Sequence, residues 1–140
     1  MFRVRAGRFC GNMDSFGFRD LRVYQTSRDL VKTIYSVLAA YPSNEQYALC
    51  DQLSRASVSV PSNIAEGMSR SSDKEKAHFI EISYGSLMEV LCQMEISKEL
   101  NYVTEEQMKD IENQITIIAK QLSKLRTTLS NSSLNSNPKL

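Results

Sequence analysis

The stretch TEEQMKDIENQITIIAKQLSKLRTTL, residues 104–129, decides the fold. Met108, Ile111, Ile115, Ile118, Leu122, Leu125 and Leu129 recur at steps of three and four, an apolar seam of period about 3.5 that has to pack against another helix. Its start carries its own punctuation. Thr104 with Gln107 three residues on has the form of a capping box, and Val103 and Met108 stand where a hydrophobic staple would close. Glu105 and Glu106 at the front, with Lys120, Lys124 and Arg126 toward the back, suit the helix dipole.

Working outward, a third helix is expected from Ser72, with Glu75 in the capping-box position, to about Leu100. It has two apolar faces, one of Ile80, Tyr84, Leu87, Leu91 and Met94, the other of Phe79, Ile82, Ser86, Val90 and Ser97. A helix wet on one side shows a single stripe, so this one is expected to be covered twice, by its own bundle and by a second subunit. Gly85 and Ser86 would admit a close neighbour. Leu21, Tyr24, Val31, Ile34, Tyr35, Leu38 and Tyr41 give a first helix its stripe, with Asp20 as N-cap and Pro42 as terminator. Ser43 and Gln46 then resemble a capping box opening a second helix whose seam is Leu49, Leu53, Ala56, Val60 and Ile64. Pro61 lies inside that periodicity and predicts either a kink or two collinear segments.

Four segments of about 21 to 28 residues make rods of about 30 to 40 Å, matched in length for an all-α, antiparallel up-down-up-down four-helix bundle over residues 18–129. Residues 1–17 are expected to be a flexible N-terminal extension, and 130–140 (SNSSLNSNPKL) a disordered Ser/Asn-rich tail.

Composition narrows the class. With 41% hydrophobic and 24% charged residues in 140, the chain fits one globular domain and neither a disordered nor a membrane protein. No apolar run approaches the roughly 20 residues of a spanning helix, and the arginines of residues 1–17 are not followed by a signal-type apolar stretch. A cytoplasmic protein is expected. Cys10, Cys50 and Cys92, odd in number and without a CxxC pair, suit reduced thiols. The net charge of +1 conceals polarity along the chain: residues 1–32 hold seven Lys/Arg against three Asp/Glu, and residues 71–110 hold four against nine.

Catalytic inventory is poor. His78 is the one histidine, no nucleophile elbow accompanies it, and no P-loop, GxGxxG, CxxC or EXXH pair offers a nucleotide or metal an anchor. No enzyme activity, cofactor or metal is expected. SVPSNIAEGMSR, residues 59–70, is less easily explained by packing: Ser59, Asn63, Glu66 and Arg70 fall on one helical face opposite Val60 and Ile64. Either Arg55, Asn63 and Glu66 satisfy one another beside the proline and fix the register, or the stripe contacts a ligand or nucleic acid. Nucleic-acid binding is the better functional reading overall. Arg3, Arg5, Arg8, Arg19, Arg22, Arg28 and Lys32, interleaved with Phe9, Phe16, Phe18 and Tyr24, supply charge and stacking surface, and Lys120, Lys124 and Arg126 would join them if the first and last helices are neighbours. At a pI near 7.7, pooling across several copies would be needed.

The phrases FRDLRVY (18–24), QLSRASVSVPSNIAEGMSR (52–70) and FIEISYGSLMEVLCQ (79–93), in that order, resemble the four-helix bundle proteins encoded by intervening sequences inserted in bacterial 23S ribosomal RNA genes. The resemblance covers about residues 18–128. It implies a cytoplasmic bacterial protein whose copies associate into a ring, commonly a pentamer. It also implies kinship with the accessory protein of diversity-generating retroelements, which partners a reverse transcriptase and binds RNA or DNA through a basic surface. Arg55, Ser59, Pro61, Asn63, Glu66, Gly67, Arg70, Gly85, Ser86 and Glu89 match the motif positions, which the resemblance makes structural or interfacial. The chain departs from the accessory protein in charge, being nearly neutral with an acidic third helix. The expectation is a non-enzymatic homo-oligomer that binds RNA or a nucleoprotein partner through pooled basic patches; the alternative is a protein-only interaction scaffold.

Overall fold

The computed structural model of the chain describes the backbone of residues 16–135 and the side chains of 16–132. Among the described residues there are four long helices and no strands: α1 (Arg22–Leu38), α2 (Leu49–Met68), α3 (Asp73–Glu99) and α4 (Glu105–Asn135), with 3-10 turns at Gly17–Asp20 and Ser43–Glu45. α1 packs on α2 and α4, and α3 packs on α2 and α4, while among the described residues the backbones of the diagonal pairs do not approach closely, so the four helices form a bundle around one core.

That core is made by seams. Ile111, Ile115, Ile118, Leu122, Leu125 and Leu129 of α4 are buried as their spacing requires, as are Leu53, Ala56, Val60 and Ile64 of α2. Each fully buried Leu or Ile contributes on the order of 1.5 to 3 kcal/mol through removal from water. The capping box of α4 is complete: Thr104 N–H donates to Gln107 Oε1 at 2.9 Å and Gln107 N–H to Thr104 Oγ1 at 3.1 Å. At the start of α3, Ser72 Oγ accepts from the Glu75 N–H at 3.1 Å.

Several expectations are corrected. Asp20 closes the 3-10 turn, and the N-cap of α1 is Leu21, which makes no side-chain cap bond. The buried line of α1 is Val23, Ser27, Leu30, Ile34 and Val37, rotated from the predicted stripe; Tyr35 is 51% exposed. Ser27 is the cause. Its hydroxyl donates to the Tyr24 carbonyl at 2.9 Å, so a polar residue enters the core with its hydroxyl paired. Ser43 and Gln46 do not open α2 either, because Ser43–Glu45 folds as a 3-10 turn and the Glu45 carboxylate takes the Leu49 N–H at 3.3 Å. α2 then runs unbroken across a buried Pro61. α4 continues to Asn135, six residues past the expected end, while residues 1–15 and 136–140 of the expected extension and tail lie outside the described ones.

The two apolar faces of α3 now have an internal explanation, since one flank meets α2 and the other α4. Ile82 does not share that cover and is 41% exposed. α3 ends in a Schellman turn, with Asn101 at φ 62°, the Tyr102 N–H on Ser97 O at 2.9 Å and the Asn101 N–H on Lys98 O at 3.0 Å.

Candidate functional site

The polar run of α2 divides into two parts. Ser59 Oγ lies 2.8 Å from Ser86 Oγ, and Asn63 Nδ2 donates to the Ser59 carbonyl at 2.8 Å and to its hydroxyl at 2.9 Å. Ser83 Oγ donates to the Val60 carbonyl at 2.8 Å, one residue before Pro61. The Ser59–Ser86 and Ser83–Val60 bonds stitch α2 to α3, while Asn63 ties the Ser59 end down within α2. Outside them, Glu66 pairs with Arg70 at 3.1 Å, and the Arg70 guanidinium lies 4.7 Å above the Phe79 ring. The expected mutual satisfaction of Arg55, Asn63 and Glu66 is replaced by separate partners, because Arg55 Nε reaches Asp51, one turn upstream, at 3.1 Å.

The two motif glycines differ. A Cβ on buried Gly67 would press against Phe79, so α2 and α3 approach there as closely as glycine allows. Exposed Gly85 has nothing within 4 Å of a built Cβ. It lies in a line of exposed residues on the outer side of α3, Ile82, Gly85, Glu89, Cys92 and Ile96, again at steps of three and four. Beside them, Gln93 Nε2 donates to Gln52 Oε1 at 3.2 Å and Glu89 Oε1 at 3.3 Å, while its buried Oε1 finds no partner among the described residues.

α1 and α4 meet through a neutral ladder. Thr26 Oγ1 donates to Gln121 Oε1 at 2.6 Å, and Gln114 Nε2 donates to Thr33 Oγ1 and Asp110 Oδ2, both at 3.1 Å. A groove of about 220 Å³ over this seam is lined by Thr26, Asp29, Thr33, Gln114 and Ile117. The basic residues stand around it unequally. Arg22, Lys120 and Lys124 are exposed and form no ion pair with any described residue. Lys32 is 3.9 Å from Asp29, and Arg126 turns toward α3, 3.7 Å from Glu81. Arg19 and Arg28 lie over the rings of Phe16 and Tyr24. Arg3, Arg5, Arg8, Phe9 and Cys10 fall outside the described residues.

His78 is exposed at an open depression that Arg70, Ser72, Lys74, Glu75 and Phe79 also line, with its ring 6.1 Å from that of Phe79. Sequence reasoning missed a tyrosine cluster that joins the α1–α2 connection to the turn before α4. Tyr41 and Tyr102 have ring centroids 5.1 Å apart, Tyr102 Oη donates to Glu45 Oε1 at 3.1 Å, and Tyr41 Oη lies 3.8 Å from Met94 Sδ. Burial raises the pKa of both phenols; for Tyr102 its bond to Glu45 raises it further, and for Tyr41 a bond with Ser97 pulls the other way. Burial, then the charge of Glu45, raises that of the Cys50 thiol. Among the described residues no group of three His, Cys, Asp or Glu is placed to hold a metal ion, and no helix is long and apolar enough to cross a membrane.

Comparisons with known proteins agree with this architecture. No match was found among curated proteins. A crystal structure of a protein of unknown function from the S23 ribosomal protein family of Bacteroides thetaiotaomicron VPI-5482 is 26% identical, with a TM-score of 0.66, over 74% of this chain and 97% of that one. The profile of the 23S rRNA-intervening sequence protein family matches residues 19–124, which span both stitched helices and most of α4. The chain therefore belongs to the 23S rRNA-intervening sequence protein family.

Proposed function

We propose that the protein is a non-enzymatic homo-oligomer, a ring of copies such as a pentamer in the bacterial cytoplasm, that binds RNA or a nucleoprotein partner through cations pooled from its subunits. The observation that carries this reading is the exposed line Ile82, Gly85, Glu89, Cys92 and Ile96 on α3. A seam at heptad spacing with a glycine open to solvent suits a second copy packing against it, and the unpartnered Gln93 Oε1 beside it suits a donor from that copy. An antiparallel up-down-up-down order supports the same geometry. Partner numbers fall along one helix as they rise along the other, Thr26 with Gln121 then Thr33 with Gln114, and Ser59 with Ser86 against Gln52 with Gln93. Pro61 leaves the Ser57 carbonyl without its helical N–H, which supports a kink in α2.

The charge for nucleic acid comes from Arg22, Lys120 and Lys124, which pair with no carboxylate among the described residues. One copy offers few such groups, so the reading depends on repetition around the ring. A reverse transcriptase is the protein partner that the retroelement kinship suggests. Binding of labelled RNA to the full chain, measured against salt, tests this: affinity is expected to fall with salt and to be lost on replacing Arg22, Lys120 and Lys124 with Glu. Absence of binding at low salt would contradict it and favour the second reading, a protein-only scaffold. The pairing of Lys32 with Asp29 and of Arg126 with Glu81 is what favours that alternative.

A further inference from the structure

Five planar groups form one continuous chain on the surface where the bundle begins. The Arg19 guanidinium lies 4.8 Å over the centroid of Phe16, Phe16 is 6.3 Å from Phe18, Phe18 meets Tyr24 edge-on at 5.0 Å, and the Arg28 guanidinium lies 5.3 Å over Tyr24. The inner members serve the fold, since Phe18 and Tyr24 pack against the core. The outer members do not need to. Phe16 is 57% exposed, and Arg19 and Arg28 are exposed. The ladder thus ends at both extremes in a guanidinium group over a ring, with one large apolar ring left in water, an unfavourable exposure that packing among the described residues does not explain.

We propose that this ladder is a stacking platform for unpaired bases, so that the nucleic acid the protein takes is single-stranded. The proposal rests on the nucleic-acid reading above and names the form of that ligand. A base offers a flat face that fits over Phe16 or against the outer guanidinium planes, whatever its identity. Its phosphates find Arg22, exposed in the first turn of α1 and without an ion pair among the described residues, and the carboxylate of the preceding turn, Asp20, is outnumbered by Arg19, Arg22 and Arg28. Bases in a duplex are already stacked and bury those faces. A duplex therefore meets only the charges.

The test compares a labelled short oligoadenylate with a duplex of equal length on the full chain, by fluorescence anisotropy at low salt. The informative variant replaces Arg19 and Arg28 together with Lys, which keeps both charges and removes both planes. The single strand is expected to bind more tightly than the duplex, and the Lys pair to weaken the single strand by about fivefold or more while leaving the duplex unchanged. Phe16→Ala should act in the same direction and Phe16→Tyr should not; circular dichroism confirms that helix content is unaltered. Equal binding of both forms, or an unchanged single-strand affinity in the Lys pair, overturns the platform and leaves the nucleic-acid reading standing. Failure to bind either form overturns both.

Discussion

Gly67 and Phe79 meet where α2 and α3 converge, and a Cβ built on Gly67 would stand 2.5 Å from the Cβ of Phe79. The obstructing atom is fixed to the α3 backbone and cannot swing aside, so one of the two helices would have to move. Alanine gains about 1 kcal/mol of helix propensity over glycine, and forcing the interface apart costs about 1 to 3 kcal/mol. The clash wins. Gly67→Ala is expected to lower stability by up to about 2 kcal/mol in chemical denaturation, and raised stability would show that the helices separate freely.

Gly85 provides the opposite case on the neighbouring turns of α3. With open space above it, Gly85→Ala should stabilise an isolated subunit by about 0.5 to 1 kcal/mol. If a second copy lies against that position, the same methyl group should weaken association. Thermal unfolding under dissociating conditions and the dissociation constant of the oligomer read these effects separately, and a stabilised subunit with unaltered association would place the contact elsewhere.

The tyrosine cluster sets an alkaline limit. Tyr41 and Tyr102 hold their protons more tightly in the folded chain than the ordinary phenol value of 10.0, so the unfolded chain loses its protons first. Their contribution to stability is complete below about pH 10 and declines as the pH rises beyond it. Urea midpoints measured across that range should fall, and fall less in a Tyr102→Phe variant, which has no phenol to ionise; parallel curves would remove Tyr102 from the account.

The cations should separate by their partners. Arg126→Ala removes an exposed pairing with Glu81, costs about 0 to 1 kcal/mol of stability and should leave RNA affinity nearly unchanged. Lys124→Ala should leave stability alone and reduce the slope of log affinity against log salt by about one, as removal of a single phosphate-binding charge requires. A larger binding defect in Arg126→Ala than in Lys124→Ala would mean that the Glu81 pair opens to admit the ligand.

How much of this was legible depended on whether the controlling contact was local. α4 could be read because its cap lies within four residues and its seam is uninterrupted from Ile111 to Leu129. The buried face of α1 could not, because apolar residues fall on two adjoining faces, Val23, Leu30 and Val37 fully buried and Leu21, Tyr24 and Leu38 only partly so, and the polar Ser27, paired within its own turn, interrupts the buried line. The start of α2 failed for a related reason: Ser43 has the form of a cap, yet the carboxylate that serves Leu49 belongs to Glu45, which also receives Tyr102 from the turn before α4, 57 residues along the chain. Nothing in the sequence distinguishes Gly67, which the Phe79 Cβ abuts, from Gly85, which no described residue abuts. The basic residues were legible as types but not as pairs, because Glu81 and Arg126 meet only once α3 and α4 are packed.

If the outer line of α3 is an interface between copies of this chain, sedimentation velocity of the full chain will reveal the assembly. A species several times heavier than the 15.9 kDa monomer is expected, reduced to the monomer by Ile82→Arg with helix content unchanged. A 15.9 kDa species at every concentration tested, or an assembly that Ile82→Arg leaves intact, would contradict it.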